Sequence, residues 1–116
     1  MKTVNLAEKL EQFTGHWDPH VVADYNENDV MVVRFQGAFP FHMHEETDDF
    51  FLVLKGEMIM DLDGESHRVG AGELFVVPRG VTHRPRAEQE CHVLLIEPKG
   101  EPNTGDPDTA APKPRI

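Results

Sequence analysis

The sequence predicts an all-β protein, a sandwich or barrel of short strands behind one short helix. Three observations carry this. β-rich runs of four to six residues recur every eight to twelve positions, separated by Gly, Pro, Asn and Asp. Asp63-Gly64 stands between two alternating runs, the signature of a tight hairpin. The chain has 116 residues, enough for one domain with a single small core.

The helix comes first. Asn5 can cap it, with Glu8 three residues on as the capping-box partner. Leu6, Leu10 and Phe13 then fall at helical spacing, an apolar stripe of about two turns that Gly15 ends. From His20 the character changes. The expected strands are His20–Asp24, Val30–Phe35, Phe39–His44, Phe50–Lys55, Glu57–Leu62, Ser66–Val69, Glu73–Val77 and Cys91–Ile96. Residues 1–19 therefore read as a helical segment and 20–98 as the β domain. Residues 99–116, with four prolines, two glycines and almost no apolar bulk, read as an extended or disordered tail, loosely held. The tail's charges cancel, so the whole formal charge of −10 sits on the folded body.

That charge disfavours phosphate backbones and anionic lipid as partners. No run approaches the roughly 18 uncharged apolar residues of a membrane helix, and charges interrupt the N-terminus where a secretory signal would be apolar. The single cysteine, Cys91, cannot form an internal disulfide. A cytoplasmic location is the expectation.

The seven histidines are the compositional oddity. In Phe39-Pro40-Phe41-His42-Met43-His44, strand alternation points His42 and His44 to one face, about 7 Å apart at Cα. Two imidazoles so placed can reach one metal ion, although two same-face histidines alone could equally face solvent. Phe39, Phe41 and Met43 would cover the other face. A carboxylate follows at Asp49, at the mouth of the next strand. Further on, the turn Pro78-Arg79-Gly80 aims His83 from another strand.

At these residues the chain resembles the cupins. Gly37…His42-x-His44…Asp49-x6-Gly56 is similar to the first cupin motif, and Gly72-x5-Pro78-x-Gly80-x2-His83 to the second. The fifteen residues between them match the short spacer of compact single-domain bacterial members. The resemblance spans about His20 to Pro98. It implies a jelly-roll β-barrel holding one divalent transition metal on His42, His44, Asp49 and His83. Three departures stand out: Asp49 replaces the family's Glu and is one methylene shorter, Gly37 lies one residue closer to His42, and Ala87 stands where motif two often ends in Asn.

Three converging imidazoles without a metal would need hydrogen-bond partners or would carry repelling charges, and a metal relieves both problems. Iron, manganese, nickel, cobalt, copper and zinc all suit such ligands. Phe51 and Val53 share the parity of Asp49 and are expected as pocket walls; His92, in the last strand, could face the pocket and carry protons, although such a histidine is more often a satisfied core or rim residue. Arg84 and Arg86 are expected outside the barrel. No nucleophile constellation, phosphate loop or glycosidase-type carboxylate pair is present. The resemblance implies a metalloenzyme acting on a small organic molecule, of isomerase, lyase or dioxygenase type. The alternative is a non-catalytic module that senses metal or ligand. A homodimer is expected, because so small a core gains from association.

Overall fold

The structure, a computed structural model, describes residues 1–116. It contains helix α1 (Leu6–Leu10) and strands β1 (His20–Tyr25), β2 (Asn28–Ala38), β3 (Asp49–Lys55), β4 (Glu57–Leu62), β5 (Glu65–Gly70), β6 (Leu74–Val77) and β7 (His83–Pro98). All strand pairings are antiparallel. The order β1-β2-β7-β3-β6 forms one face, while β4 pairs with β5 and with β7.

β7 closes the barrel. Its first half, His83–Arg86, pairs with β4, and its second half, His92–Ile96, pairs with β3, while β2 runs along both. One sixteen-residue strand therefore joins the β1-β2-β7-β3-β6 path to the β4–β5 pair. Only Cys91–Ile96 of it was expected from the sequence. The first half is polar on its outer side, where Arg84 and Arg86 both donate to the Asp61 carboxylate at 3.0 and 2.7 Å. Those two arginines lie outside the barrel, as their parity indicates.

Alternation builds the core. Met31, Val33 and Phe35 of β2, Phe51 and Val53 of β3, Met58 and Met60 of β4, and Cys91, Val93 and Leu95 of β7 face inward and are buried. Full burial of each large side chain contributes about 1.5–3 kcal/mol. A second cluster of Leu10, Val22 and Val32 seats α1 on the outer face of β1 and β2.

α1 is shorter than the apolar stripe predicts. Asn5 does cap it, accepting from the Glu8 N–H at 3.0 Å. The helix then stops, because Arg34 donates to the Leu10 carbonyl at 2.6 Å and satisfies an end that another turn would otherwise continue. Phe13 leaves the helical path and stacks on His20, ring centroids 3.8 Å apart.

The expected strand Phe39–His44 is not a regular strand. An isolated reciprocal bridge between His42 and His83 forms there, at 3.0 and 2.9 Å, with single backbone hydrogen bonds at Phe39 and His44. Its parity argument for the flanking residues fails accordingly. Phe39 turns inward beside Trp17, and Phe41 is 52% exposed beneath the Arg84 guanidinium.

The tail is extended but not loosely held. Its bases find acids on the body: Lys99 pairs with Asp24 and Asp29, Arg115 with Asp24, and Lys113 with the buried Glu97. Pro114 accepts from the Val21 N–H and Ile116 donates to the Val21 carbonyl, which covers the free edge of β1. Composition hides this because the hold is made of charge and backbone, not of apolar bulk.

Candidate metal centre

Four side chains from three segments converge at one end of the barrel. His42 and His44 come from the segment between β2 and β3, Asp49 opens β3, and His83 opens β7. The turn that aims His83 needs Gly80 at φ +79°, a conformation that disfavours any side chain. Gly80 also donates to the His44 carbonyl at 2.8 Å, so this turn fixes the two motifs against each other. Side-chain exposures are 7% for His42, 2% for His44, 5% for Asp49 and 1% for His83.

Asp49 Oδ2 lies 2.8 Å from His83 Nε2, 3.3 Å from His44 Nε2 and 3.9 Å from His42 Nε2. One donor atom from each of the four residues lies within 4.8 Å of the others. Donors bound at about 2.0–2.2 Å to a common ion stand roughly 3–4.4 Å apart, so shifts of a few tenths of an ångström bring this set to the size of a metal site. The shorter Asp49 still reaches all three rings.

Tautomers support the same conclusion. His42 Nδ1 faces the Pro40 carbonyl at 2.9 Å, and His83 Nδ1 faces the Val81 carbonyl at 2.8 Å. A carbonyl only accepts, so each Nδ1 carries the proton. Each neutral ring then turns an Nε2 lone pair inward, the form a metal takes. His83 Nε2 and Asp49 Oδ2 are then two acceptors at 2.8 Å, which calls for a cation or an extra proton between them. His44 is nearly buried with neither ring nitrogen hydrogen-bonded. The residues present fit the ion that the cupin motifs imply, and the group can hold a divalent metal.

Electrostatics are divided within the cluster. Burial pushes His42 down to about 4. Burial also disfavours the His44 imidazolium, but Asp49 together with Glu97 and Glu101 raises the His44 pKa. Burial opposes ionisation of Asp49, yet the flanking His44 and His83 hold its carboxyl below the usual range.

Beside the cluster is a small cavity of about 30 Å³. Phe51 lines it, as expected, and its ring meets His83 edge-on. Val53 faces the same interior but is fully buried in the core, away from the cavity. His92 is not in the interior. Cys91 and Val93 take the inward positions of β7, so His92 points outward beside Arg34, Nη1 3.1 Å from Nε2, next to α1. It has no path to the metal centre.

The sequence reading missed three groups. Trp17, stacked on Phe35, walls the cavity from a loop with no periodicity to signal it. Asn103 reaches it from the tail. Glu97 lines it from β7, and its position two residues after inward Leu95 was a readable signal. Glu97 is raised to about 7, by burial first and then by the Asp49 charge, against the pull of Lys113.

This barrel, with a group at one end that could hold a metal, is a small jelly roll, and known proteins share its fold. Residues 30–97 match the cupin domain family, and the chain belongs to it. A cupin-2 domain containing protein of Shewanella frigidimarina superposes with a TM-score of 0.82 at 35% identity, over 83% of this chain and 94% of that one. The uncharacterized protein YdbB of Bacillus subtilis is 30% identical over 79 residues, 67% of this chain and 70% of that protein. Quercetin 2,3-dioxygenase of Bacillus subtilis is 37% identical over 51 residues, 44% of this chain but only 15% of that enzyme. No helix is long and apolar enough to cross a membrane.

Proposed function

We propose that the protein is a mononuclear metalloenzyme acting on a small, partly apolar organic molecule, with His42, His44, Asp49 and His83 as direct ligands. The observation that carries this is the convergence of three Nε2 atoms and one carboxylate, two of those nitrogens left unprotonated by the carbonyls their Nδ1 atoms face, beside an aromatic-walled cavity. Four protein ligands leave open positions on a six-coordinate ion, which a structural site would lack. A divalent transition metal held there supplies Lewis-acid polarisation of a substrate oxygen. Trp17, Phe35, Phe39 and Phe51 exclude water and favour a flat or apolar substrate. Glu97, within the same cavity, is placed to take or return a proton.

The cavity is small. About 30 Å³ holds one or two waters, so a substrate of aromatic size requires Trp17 or the tail residue Asn103 to move. The partial likeness to a dioxygenase supports an oxygen-dependent reaction among the possible types, without selecting one.

Two further parts belong to this proposal. The outer face of β3 and β6 presents Leu74 at 57% and Val76 at 43% exposure, beside Leu52 and Phe50 in register; we take this face as a homodimer contact. The only cysteine is fully buried, its thiol pushed up to about 11 by burial, and cannot pair within the chain; we place the protein in the cytoplasm.

The test is a turnover screen. Protein loaded separately with each candidate metal is incubated with small aromatic diols, hydroxy-ketones and uronates, and products are read by mass spectrometry. The reading expects conversion of one class by the wild type and none by His42→Ala/His83→Ala. Ligand-induced thermal stabilisation without conversion of any compound would make the protein a binding module instead.

A further inference from the structure

The Nδ1 atoms of the three histidines are not treated alike. His42 and His83 each direct Nδ1 to the carbonyl two residues earlier, Pro40 and Val81. For His44 the corresponding carbonyl is that of His42, and it is engaged by the His83 N–H at 2.9 Å in the bridge that joins the two motifs. His44 Nδ1 is therefore buried without a backbone acceptor. A carboxylate faces it instead: Glu101 Oε2 stands 3.6 Å away, from the C-terminal tail.

The tail is built to keep that carboxylate in place. Glu101 donates its backbone N–H to Pro98 at 3.1 Å. Lys113 reaches back across the strap to the Glu101 carbonyl and to Glu97 Oε2, the latter at 3.1 Å. Gly105 lies so close to the Met43 carbonyl that a Cβ there would overlap it. The Glu101 side chain is 14% exposed.

The geometry points to Glu101 as the positioning residue for His44, supplied by a C-terminal strap that belongs to the metal centre. This rests on the metal reading above. Glu101 is the carboxylate that faces His44 Nδ1; from 3.6 Å a closure of a few tenths of an ångström lets it take the Nδ1–H, fix the ring's tautomer and leave Nε2 free toward Asp49. Loss of such an outer partner typically weakens metal binding about 10–100-fold.

Full-length wild type, Glu101→Ala and Glu101→Gln are stripped with chelator and titrated with Co²⁺ against a competing chelator. The Co²⁺ absorption spectrum and the melting temperature of each metal-free protein are recorded alongside. The expected result is a 10–100-fold weaker Co²⁺ affinity and an altered spectrum for Glu101→Ala. Glu101→Gln, whose amide oxygen still accepts from Nδ1–H, recovers most of the affinity. A merely structural strap would lower the metal-free melting temperature and leave affinity and spectrum unchanged, and that result overturns the inference. Equal affinity in all three proteins overturns it too, with the metal reading intact. Failure of the wild type to bind Co²⁺ or any other transition metal overturns both.

Discussion

Replacing Glu97 by glutamine removes a buried carboxyl whose ionisation the fold opposes. Glu97 is 3% exposed, and burial together with the Asp49 charge raises it from the ordinary 4.5 to about 7. A raised carboxyl binds its proton more tightly in the folded state. Its favourable contribution is full below pH 4.5 and is lost as pH rises through 7. At about 1.4 kcal/mol per pKa unit, ionising Glu97 in the fold costs about 3 kcal/mol by pH 8. Glutamine keeps the shape and never ionises. At pH 5 both proteins present Lys113 with a neutral partner, so their stabilities should nearly coincide. At pH 8 the variant should be more stable by about 3 kcal/mol. Urea denaturation in chelator, across pH 5 to 8, reads this directly, and the wild-type curve should fall relative to the variant between those limits. A difference that stays constant with pH would refute the reasoning and would mean that Lys113 fully compensates the Glu97 charge.

Three more outcomes follow from the same coordinates. Gly105→Ala should loosen the strap, since φ +77° and the Met43 carbonyl both oppose a side chain; about 1–2 kcal/mol of destabilisation and faster proteolysis after Pro98 are expected, measured by urea melts and limited digestion. Met60→Ala, at a fully buried site of the main core, should cost about 2–5 kcal/mol by the same denaturant assay. Leu74→Glu on the exposed face of β6 should convert a dimer to monomers in sedimentation velocity while leaving the fold intact by circular dichroism.

How much of this was legible depends on what kind of force sets each part. The site histidines were readable because glycine and proline punctuate them: Gly80 at φ +79° has few substitutes, and it fixes where His83 begins its strand. The alternation of Asp49, Phe51 and Val53 was readable for the same local reason. The first half of β7 was not. Arg84, Pro85, Arg86, Glu88, Gln89 and Glu90 have no strand composition; Arg84–Arg86 are held by β4 and its distant Asp61, and residues 88–90 fall in the irregularity of the pairing with β2. His92 was misplaced because the long β7 carries its own inward phase, with Cys91 and Val93 taking the interior. The tail was misread because its prolines and balanced charges look like a solvated arm. Its anchors (Asp24, Asp29 and Glu97) lie far away in sequence and become visible only once folded.

One cation among the Nε2 atoms of His42, His44 and His83 would account for the whole site. Elemental analysis of the purified full-length chain beside His42→Ala/His83→Ala tests it most directly. The expected result is close to one equivalent of transition metal per wild-type chain, little in the variant, and a melting temperature that chelator lowers in the wild type alone. Equal metal content in the two proteins, or none in either after supplementation with each candidate ion, would contradict it.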